Sequence, residues 1–204
     1  MLGFRWLRLL ACPEGDSVPP AAYFSSLPLL ETKRLFLRPL QMRDARDVYA
    51  YASDPEVARY VLWEPHASLS ETRSYLRCMR SLYRRGLPAS WAVVLRETGR
   101  VIGTVGFMWY SAQNRSAEVG YSFSREYWNR GFATEALRAV LASAFACLPL
   151  NRLEAQHDLR NPASGRVMQK CGMRMEGVLR QRILNKEEFV DVALWSLLRA
   201  DLDA

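Results

Sequence analysis

A glycine among small and basic residues directly precedes a predicted alanine-rich helix in the stretch EYWNRGFATEALRAVLASAF, residues 126–145. The start of a helix presents unpaired backbone N–H groups and the positive end of the helix dipole, so a phosphate or pyrophosphate is its natural ligand. Gly131 allows a close backbone approach and Ala133 leaves the way clear, while Arg130 and Thr134 can add a charge and a hydroxyl. The stretch predicts an anion site, with a simple turn glycine as the alternative. It is neither a Walker A loop nor the G-x-G-x-x-G of dinucleotide folds.

The second stretch that can carry chemistry is Asn161-Pro162-Ala163-Ser164, which opens a short helix after a predicted strand. Proline suits the first helical turn, and the asparagine before it is a typical helix cap, with the serine as an incidental neighbour in that interpretation. Two strand residues, Glu118 and His157, can move protons. Alternatively, Glu118 forms an ion pair with one of the many arginines, and His157 is an ordinary polar surface residue.

These residues are positioned by a mixed series of elements. Apolar alternation and turn residues predict strands at 34–40, two within 91–110 joined by a turn at Gly99, and others at 117–123, 152–157, 176–183 and 189–197, the last two joined by the hairpin NKEE. Helical spacing predicts helices capped by Asp44 and Ser70, one from Thr134 to Cys147, and one from Pro162 to Cys171 ended by Gly172. The order β-α-α-β-β-β-α-β-α-β-β indicates one mixed sheet with helices on its faces.

The composition limits the class of protein. The chain has 204 residues, half of them hydrophobic, which fits one compact α/β domain. No run of about 18 apolar residues is present, and Arg5 and Arg8 interrupt the apolar N-terminus, so we expect no transmembrane segment, no signal peptide and a cytoplasmic location. Four widely spaced cysteines and two histidines predict reduced thiols and no metal site. The net charge of +7 comes from scattered arginines, which fit either a phosphate-bearing cofactor or a well-solvated surface, and we expect no stable nucleic-acid binding.

The order of elements, together with AEVGYSFSREYWNRGFATEAL and RNPASGRVMQKCGMRMEGVL, resembles the GNAT acetyltransferase superfamily, and specifically its RimJ/RimL branch. LPLLETKRLFLRPLQMRDARDVYAYASDPEV resembles the opening strand and helix of that branch, and VDVALWSLLRADL resembles its closing strand. The resemblance implies that residues 29–204 form one GNAT N-acetyltransferase domain after an N-terminal extension or tail, residues 1–28. It also implies an α/β (α+β mixed) fold, in which a mostly antiparallel central sheet of about seven strands is splayed in the middle and flanked by about four helices.

The resemblance implies acetyl-CoA as the cofactor. Backbone N–H groups would hold its pyrophosphate, and they belong to Trp128, Asn129, Arg130, Gly131, Phe132, Ala133 and Thr134. Its pantetheine arm would pair with the free edge of the strand that carries Val119, Gly120 and Tyr121, because the two amides of pantetheine can satisfy an unpaired edge. Asn161 would bind the same arm. The superfamily usually has Gln or Arg where Trp128 stands, and this departure is ordinary in the RimJ/RimL branch.

The implied reaction is transfer of an acetyl group to a primary amine by direct attack. Ser164 would protonate the departing thiolate, because the helix 162–171 lacks the tyrosine that many superfamily members use. The amine must lose a proton, since the pKa of a lysine side chain is about 10.4 and that of an α-amino group about 7.7 to 8.0. Glu118 is the first candidate for the general base, His157 the second and Glu154 a weaker third.

The acceptor is an amine of a protein N-terminus, such as that of a ribosomal protein, or a small-molecule amine. In this branch the loop and helix after the first strand usually wall the acceptor pocket together with the final hairpin, which makes Trp63, Glu64 and Tyr75 candidate substrate-binding residues. We expect a monomer or a homodimer. A non-catalytic acyl-CoA binding or sensing module is the alternative, and an RNA-binding protein is a weaker one.

Overall fold

The computed structural model describes residues 8–9 and 18–202 of the chain. Its strands are β1 (Arg8–Leu9), β2 (Leu30–Glu31), β3 (Leu35–Pro39), β4 (Ser90–Leu95), β5 (Val101–Ser111), β6 (Ser116–Phe123), β7 (Arg152–Asp158), β8 (Arg174–Asn185) and β9 (Glu188–Leu198). Its α-helices are α1 (Pro20–Ser25), α2 (Ala45–Ala52), α3 (Pro55–Ala58), α4 (Leu69–Arg84), α5 (Phe132–Cys147) and α6 (Pro162–Lys170).

The strands form a single sheet in the order β1-β2-β3-β4-β5-β6-β7-β9-β8. All neighbours are antiparallel except β6 and β7, which are parallel, so the prediction of one mixed, mostly antiparallel sheet is confirmed. Among the described residues, the structure has two strands and two α-helices more than predicted. The additional elements are β1, β2, α1 and α3, which have two to six residues each and are too short to produce a clear periodicity.

The helices lie on both faces of the sheet. On one face, Phe107 of β5 contacts Tyr23, whose hydroxyl is 2.9 Å from the hydroxyl of Ser143 in α5. Thr104 of the same strand points to the opposite face, because successive side chains alternate, and it lies against the hydroxyl of Tyr75 in α4. The α5 and α6 side and the α2 and α4 side are therefore separate environments above and below the sheet.

Two helices begin two residues earlier than predicted, since α5 begins at Phe132 and not at Thr134, and α4 begins at Leu69. For α2 the predicted start is observed but the predicted side-chain cap is not. The N-cap of α4 is Ser68 and not Ser70, because the Ser68 hydroxyl accepts a hydrogen bond from the backbone N–H of Glu71 while Ser70 lies inside the first turn. Asp44 precedes α2, but its carboxylate does not cap that helix. It accepts hydrogen bonds from the Gln41 N–H and from both terminal nitrogens of Arg38 instead.

The sheet is splayed in the middle, as predicted. β6 and β7 pair only at Ser116↔Arg152, Ala117↔Leu153 and Glu118↔Glu154. Beyond this point β6 continues to pair with β5 on its other side, and β7 continues to pair with β9. A gap therefore opens between the two parallel strands beyond Glu118 and Glu154.

Part of the predicted N-terminal tail packs into the hydrophobic core. Tyr23, Phe24 and Leu27 are buried, and the backbone N–H of Val18 donates to the carbonyl of Cys147 at 2.9 Å. Residues 18–28 therefore contribute to the core of the unit that follows them. The boundary at residue 29 stays a prediction, and residues 1–7 and 10–17 lie outside the described residues.

The cysteines depart from the expectation of reduced thiols. Cys147 is disulfide-bonded, so that expectation is wrong for this residue, whereas Cys78 and Cys171 are free. Widely spaced cysteines carry no pairing signal, because the chain path decides which of them meet. Within residues 8–9 and 18–202, no group of three or more His, Cys, Asp or Glu side chains is arranged to hold a metal ion. No helix in the same residues is long and apolar enough to cross a membrane.

Candidate active site

The gap between β6 and β7 exposes two strand edges that face each other. Val119, Gly120 and Tyr121 pair with β5 on one side only, and on the other side β7 has already turned away. Such an edge presents backbone donors and acceptors to a ligand. The structure thus places the three predicted edge residues where an extended amide-bearing chain can lie.

The loop before α5 has the backbone geometry of an anion site. Gly131 is the N-cap of α5 with φ +79°, and Asn129 also has positive φ, at +58°. The first main-chain bond of the helix runs from the N–H of Glu135 to the carbonyl of Gly131. Among the hydrogen bonds of the described residues, none is donated by a backbone N–H group of residues 129–134, which leaves these groups available to a diphosphate.

Trp128 and Arg130 frame this loop. The indole N–H of Trp128 donates to the carbonyl of Phe123 at 2.8 Å, so the side chain folds back onto the end of β6. The guanidinium of Arg130 lies over the rings of Tyr127 and Phe132 at 5.6 and 5.3 Å. Phe132 is buried, whereas Ala133 and Thr134 are half-buried in the first turn of α5. The loop is therefore held between aromatic side chains.

Sequence reasoning did not identify a cluster that ties this loop to the turn before β3. Arg34 donates to Glu135 through its backbone N–H at 2.8 Å and through Nε at 2.6 Å, and its Nη1 donates to the carbonyl of Arg130 at 2.9 Å. Thr32 Oγ1 donates to Glu135 at 2.6 Å. All of these residues lie in the stretches quoted above. The sequence does not show that they meet, because about 100 positions separate Arg34 from Glu135.

The start of α6 holds Ser164 close to Tyr121. The Ser164 hydroxyl is 2.8 Å from the hydroxyl of Tyr121, which also donates to the Ser164 carbonyl at 2.9 Å. Burial raises the pKa of Tyr121, and the hydrogen bond from Ser164 opposes this only in part. The side chain of Asn161 caps α6 by accepting from the Ser164 N–H at 3.3 Å. The hydroxyl of Ser164, the predicted proton donor, therefore lies beside Tyr121. The sequence had indicated a role for Tyr121 only on the edge of β6.

Glu118 lies at the point where the two strands part. Its carboxylate accepts hydrogen bonds from Nε1 of Trp109 at 2.7 Å and from Nε2 of Gln156 at 3.1 Å. Burial raises the pKa of Glu118 and outweighs these two hydrogen bonds, while the charge of Glu154 raises it further and that of Arg182 lowers it. A half-buried carboxylate with a raised pKa suits proton transfer near neutral pH.

The other two candidate bases occupy different surroundings. His157 packs against α6, since a Cβ on Gly165 would lie 2.6 Å from its Nε2, and its Nδ1 is 2.8 Å from the carbonyl of Asp158. Strand alternation therefore puts His157 on the opposite face from Glu118 and Gln156. Glu154 forms an ion pair with Arg152.

The gap connects two faces with different chemistry. Glu118 points to the side of α2 and α4, and Tyr121, three residues later, points to the side of α6. A carboxylate that can take up a proton thus lies on one side of the gap, and the hydroxyl pair of Tyr121 and Ser164 lies on the other. A group placed in the gap has a proton acceptor and a proton donor on opposite sides.

Two of the predicted acceptor residues, Trp63 and Tyr75, form an aromatic wall together with His66 on the Glu118 side of the sheet. The ring of His66 lies between those of Trp63 and Tyr75, with centroid distances of 5.8 and 5.9 Å, and its Nδ1 is 2.8 Å from the hydroxyl of Thr72. Burial lowers the pKa of His66. Sequence reasoning missed His66, which completes the wall.

The hairpin between β8 and β9 closes against the loop beside this wall. Lys186 donates to the carbonyl of Ala58 at 2.7 Å and lies 3.9 Å from Glu64. Glu64 is otherwise largely exposed. The two predicted walls of an acceptor pocket, the loop after α3 and the last hairpin, are thus in contact.

Comparisons with known proteins agree with this arrangement. The profile of the acetyltransferase (GNAT) domain family matches residues 34–174, which include the gap, the loop before α5 and the aromatic wall. An uncharacterised N-acetyltransferase of Bacillus licheniformis, p20, is 34% identical over 172 residues, or 84% of this chain and 97% of that protein.

A second relative is the ribosomal-protein-serine acetyltransferase of Escherichia coli (strain K12), which is 26% identical over 129 residues, or 63% of this chain and 71% of that protein. Among solved structures, an acetyltransferase of the GNAT family from Bacillus anthracis has a TM-score of 0.75 and 28% identity, covering 83% of this chain and 98% of that one.

Proposed function

The chain belongs to the GNAT family of acetyltransferases and uses acetyl-CoA, and on that premise we propose that it transfers the acetyl group to a primary amine by direct attack in the gap between β6 and β7. One observation carries the proposal. The strands separate immediately after Glu118, so a carboxylate of raised pKa lies at the start of a free strand edge, and the chain continues from that edge into the unsatisfied start of α5.

The residues present fit this cofactor. The free N–H groups of residues 129–134, with Gly131 at φ +79°, suit its diphosphate, and the edge formed by Val119, Gly120 and Tyr121 suits the two amides of its pantetheine arm. When bound, acetyl-CoA supplies an acyl group activated as a thioester. Asn161 is the proposed side-chain contact to the same arm, in addition to its role as a helix cap.

Glu118 is the proposed general base. It takes up a proton from the amine, directly or through water, so that an uncharged nitrogen attacks the carbonyl carbon. Its position at the last pair between β6 and β7 and its raised pKa favour it over His157, which lies on the other face of the sheet, and over Glu154, which is engaged with Arg152. The free N–H groups of the β6 edge polarise the acyl carbonyl.

Ser164 is the proposed general acid. Its hydroxyl donates a proton to the departing sulfur on the α6 side, and the adjacent hydroxyl of Tyr121 holds it in place. Cys171, the free thiol at the end of α6, is not proposed as an acyl carrier, because it is buried and burial raises its pKa to about 12. Direct transfer without an acyl-enzyme is therefore proposed.

The proposed acceptor is the α-amino group of a protein N-terminus, such as that of a ribosomal protein, or a small-molecule amine. Similarity to the ribosomal-protein-serine acetyltransferase of Escherichia coli supports the first class. Trp63, Tyr75 and Glu64 are the proposed acceptor contacts, because they line the Glu118 side of the sheet next to the last hairpin. A cytoplasmic location and a monomer or homodimer stay predictions of the sequence.

The first experiment is calorimetric titration of the purified chain with acetyl-CoA, with dephospho-CoA and ATP as comparison ligands. We expect selective binding of acetyl-CoA. Absence of binding by a folded sample contradicts the acetyltransferase assignment.

The second experiment measures thiol release with a panel of small amines and ribosomal N-terminal peptides, for the wild type and for Glu118→Gln. We expect the variant to bind acetyl-CoA like the wild type and to turn over about 10²- to 10⁴-fold more slowly. Binding without turnover of any amine by the wild type would favour a non-catalytic acyl-CoA binding module.

A further inference from the structure

A cluster from two distant parts of the chain, formed by Thr32, Arg34 and Glu135 and here called the loop anchor, lies beside the proposed diphosphate loop. We infer that the loop anchor positions the loop for the diphosphate of CoA, by setting the direction of its N–H groups and by neutralising the carboxylate in the first turn of α5. This inference rests on the proposed function.

Arg34 fixes the orientation of a peptide group in the loop. Arg34 Nη1 holds the carbonyl oxygen of Arg130 at 2.9 Å. In a trans peptide the C=O and N–H groups point in opposite directions, and the described chain contains no cis bond, so the N–H of Gly131 points away from Arg34. The Gly131 carbonyl in turn accepts from the N–H of Glu135 at 3.0 Å, which directs the N–H of Phe132 out of the helix start. Two successive donors are thus oriented before any ligand arrives.

Arg34 also compensates the charge of Glu135 in the first turn of α5. A carboxylate in the first helical turn beside a diphosphate repels it unless a cation compensates. Burial acts to raise the pKa of Glu135, but hydrogen bonds from Thr32 and Arg34 and the charge of Arg34 outweigh it, so the pKa is lowered and Glu135 is ionised at neutral pH. Both of its oxygens are occupied, one by Thr32 Oγ1 and the Arg34 N–H, the other by Arg34 Nε.

Folding stability alone does not account for this arrangement. The side chain of Arg34 is 39% exposed and that of Glu135 19%, and an ion pair that is open to solvent on one side contributes only modestly to folding. Arg34 also contacts the loop in a second way, because its guanidinium lies 4.1 Å from the centroid of the Phe132 ring. Contacts from one side chain to Arg130, Phe132 and Glu135 restrict the loop that precedes α5, which reduces the entropy cost of ordering it on binding.

The test compares the affinity of the full chain for CoA and for dephospho-CoA in the wild type and in Arg34→Ala, Arg34→Lys and Glu135→Gln. Arg174→Ala is the matched control, since Arg174 is also an exposed arginine in an ion pair, with Asp201 at 3.1 Å, and that pair joins β8 to the chain after β9 and not to the loop. We expect Arg34→Ala to weaken binding of both ligands by between about twofold and thirtyfold, and Arg174→Ala to leave it unchanged.

Two further comparisons separate orientation from charge. Arg34→Lys keeps the charge but lacks the planar fork that reaches Glu135 and the Arg130 carbonyl together, so we expect an affinity between those of the wild type and Arg34→Ala. Adding Glu135→Gln to Arg34→Ala removes the uncompensated carboxylate and should recover part of the lost affinity. With an amine substrate, the loss should appear in the KM for acetyl-CoA while kcat stays near the wild-type value, because the loop lies at the diphosphate and not at the thioester.

The possible failures are distinguishable. A wild type that does not bind CoA overturns the proposed function and the inference with it. Wild-type binding together with unchanged affinity in every folded loop-anchor variant overturns the inference alone. A loss of affinity that is seen with CoA but not with dephospho-CoA also overturns the inference, because the effect would then act through the 3′-phosphate. If Arg34→Ala does not fold, as seen by thermal unfolding, Arg34→Lys and Glu135→Gln decide the matter.

Discussion

The indole Nε1 of Trp109 donates a hydrogen bond of 2.7 Å to Oε2 of Glu118 at the place where β6 and β7 separate. The two residues are paired across the neighbouring strands β5 and β6, so the contact follows from sheet register and not from a loop. It stabilises the ionised form of the carboxylate whose pKa burial raises. The proposed proton acceptor and a side chain that lowers its pKa thus lie on two neighbouring strands.

The first prediction concerns the acid limb of the pH profile. Glu118 acts as a base only when ionised, so kcat/KM rises with pH through its raised pKa. Trp109→Phe removes a hydrogen bond to the ionised form, which raises that pKa and moves the limb to higher pH. Glu154→Gln removes a neighbouring negative charge and should move the limb to lower pH. The measurement is kcat/KM for the amine against pH, and shifts of the same sign for both variants would contradict the assignment of Glu118.

The second prediction concerns the hydroxyl pair on the α6 side. Ser164→Ala should lower kcat and leave the affinity for acetyl-CoA nearly intact, because the hydroxyl acts only on the leaving sulfur. Tyr121→Phe removes the partner that lies 2.8 Å from Ser164 Oγ and should also lower kcat, but by less. If Tyr121 works through Ser164, the double variant is no slower than Ser164→Ala. An unchanged rate for Ser164→Ala would remove this residue from the mechanism, and single-turnover thiol release measures all three.

The third prediction concerns Gly131. Gly131→Glu should abolish CoA binding through steric block and charge repulsion. Gly131→Ala should still bind, because a Cβ there would come no closer than 3.5 Å to Arg34, its nearest neighbour, but its φ of +79° should cost about 1 to 2 kcal/mol of stability. Gly131→Asn tolerates this conformation better and serves as the control. Titration with CoA and urea unfolding measure the two effects, and full binding by Gly131→Glu would show that the loop is only a turn.

The fourth prediction concerns stability away from the gap. Arg38 and Asp44 form a buried pair with two contacts of 2.7 Å, and Asp44 also accepts from the Gln41 N–H. Asp44→Ala leaves the Arg38 charge buried without its partner and should lower the free energy of unfolding by about 3 kcal/mol. The exposed pair of Arg59 and Glu56 is the comparison, and Glu56→Ala should change the free energy of unfolding by no more than about 0.5 kcal/mol. If urea unfolding gave the same loss of unfolding free energy for Asp44→Ala and Glu56→Ala, the prediction that the buried pair contributes more to stability would be contradicted.

The local elements were predictable because their signals lie within a few neighbouring residues. The alternation in 34–40, the turn at Gly99, the proline-led start of α6 and the hairpin at NKEE all appear where the pattern predicted them. Gly131 before an alanine-rich helix likewise predicted a free helix start, and the structure has one. Exact starts were harder, as Ser68 in place of Ser70 shows, because two serines near one helix have the same local propensity.

Acting alone, the sequence determined the series of strands and helices, the presence of a glycine-led helix start and the chemical types available for proton transfer. Only the tertiary structure decided that Glu118 is half-buried at the gap, which raises its pKa, that His157 lies on the opposite face of the sheet, and that Glu154 pairs with Arg152. It also joined Arg34 to Glu135 and brought the segment 18–28 into the core. The physical reason is the distance along the chain over which each effect acts. Backbone propensity depends on nearby residues, whereas burial, charge compensation and peptide orientation depend on side chains that only the folded chain brings together.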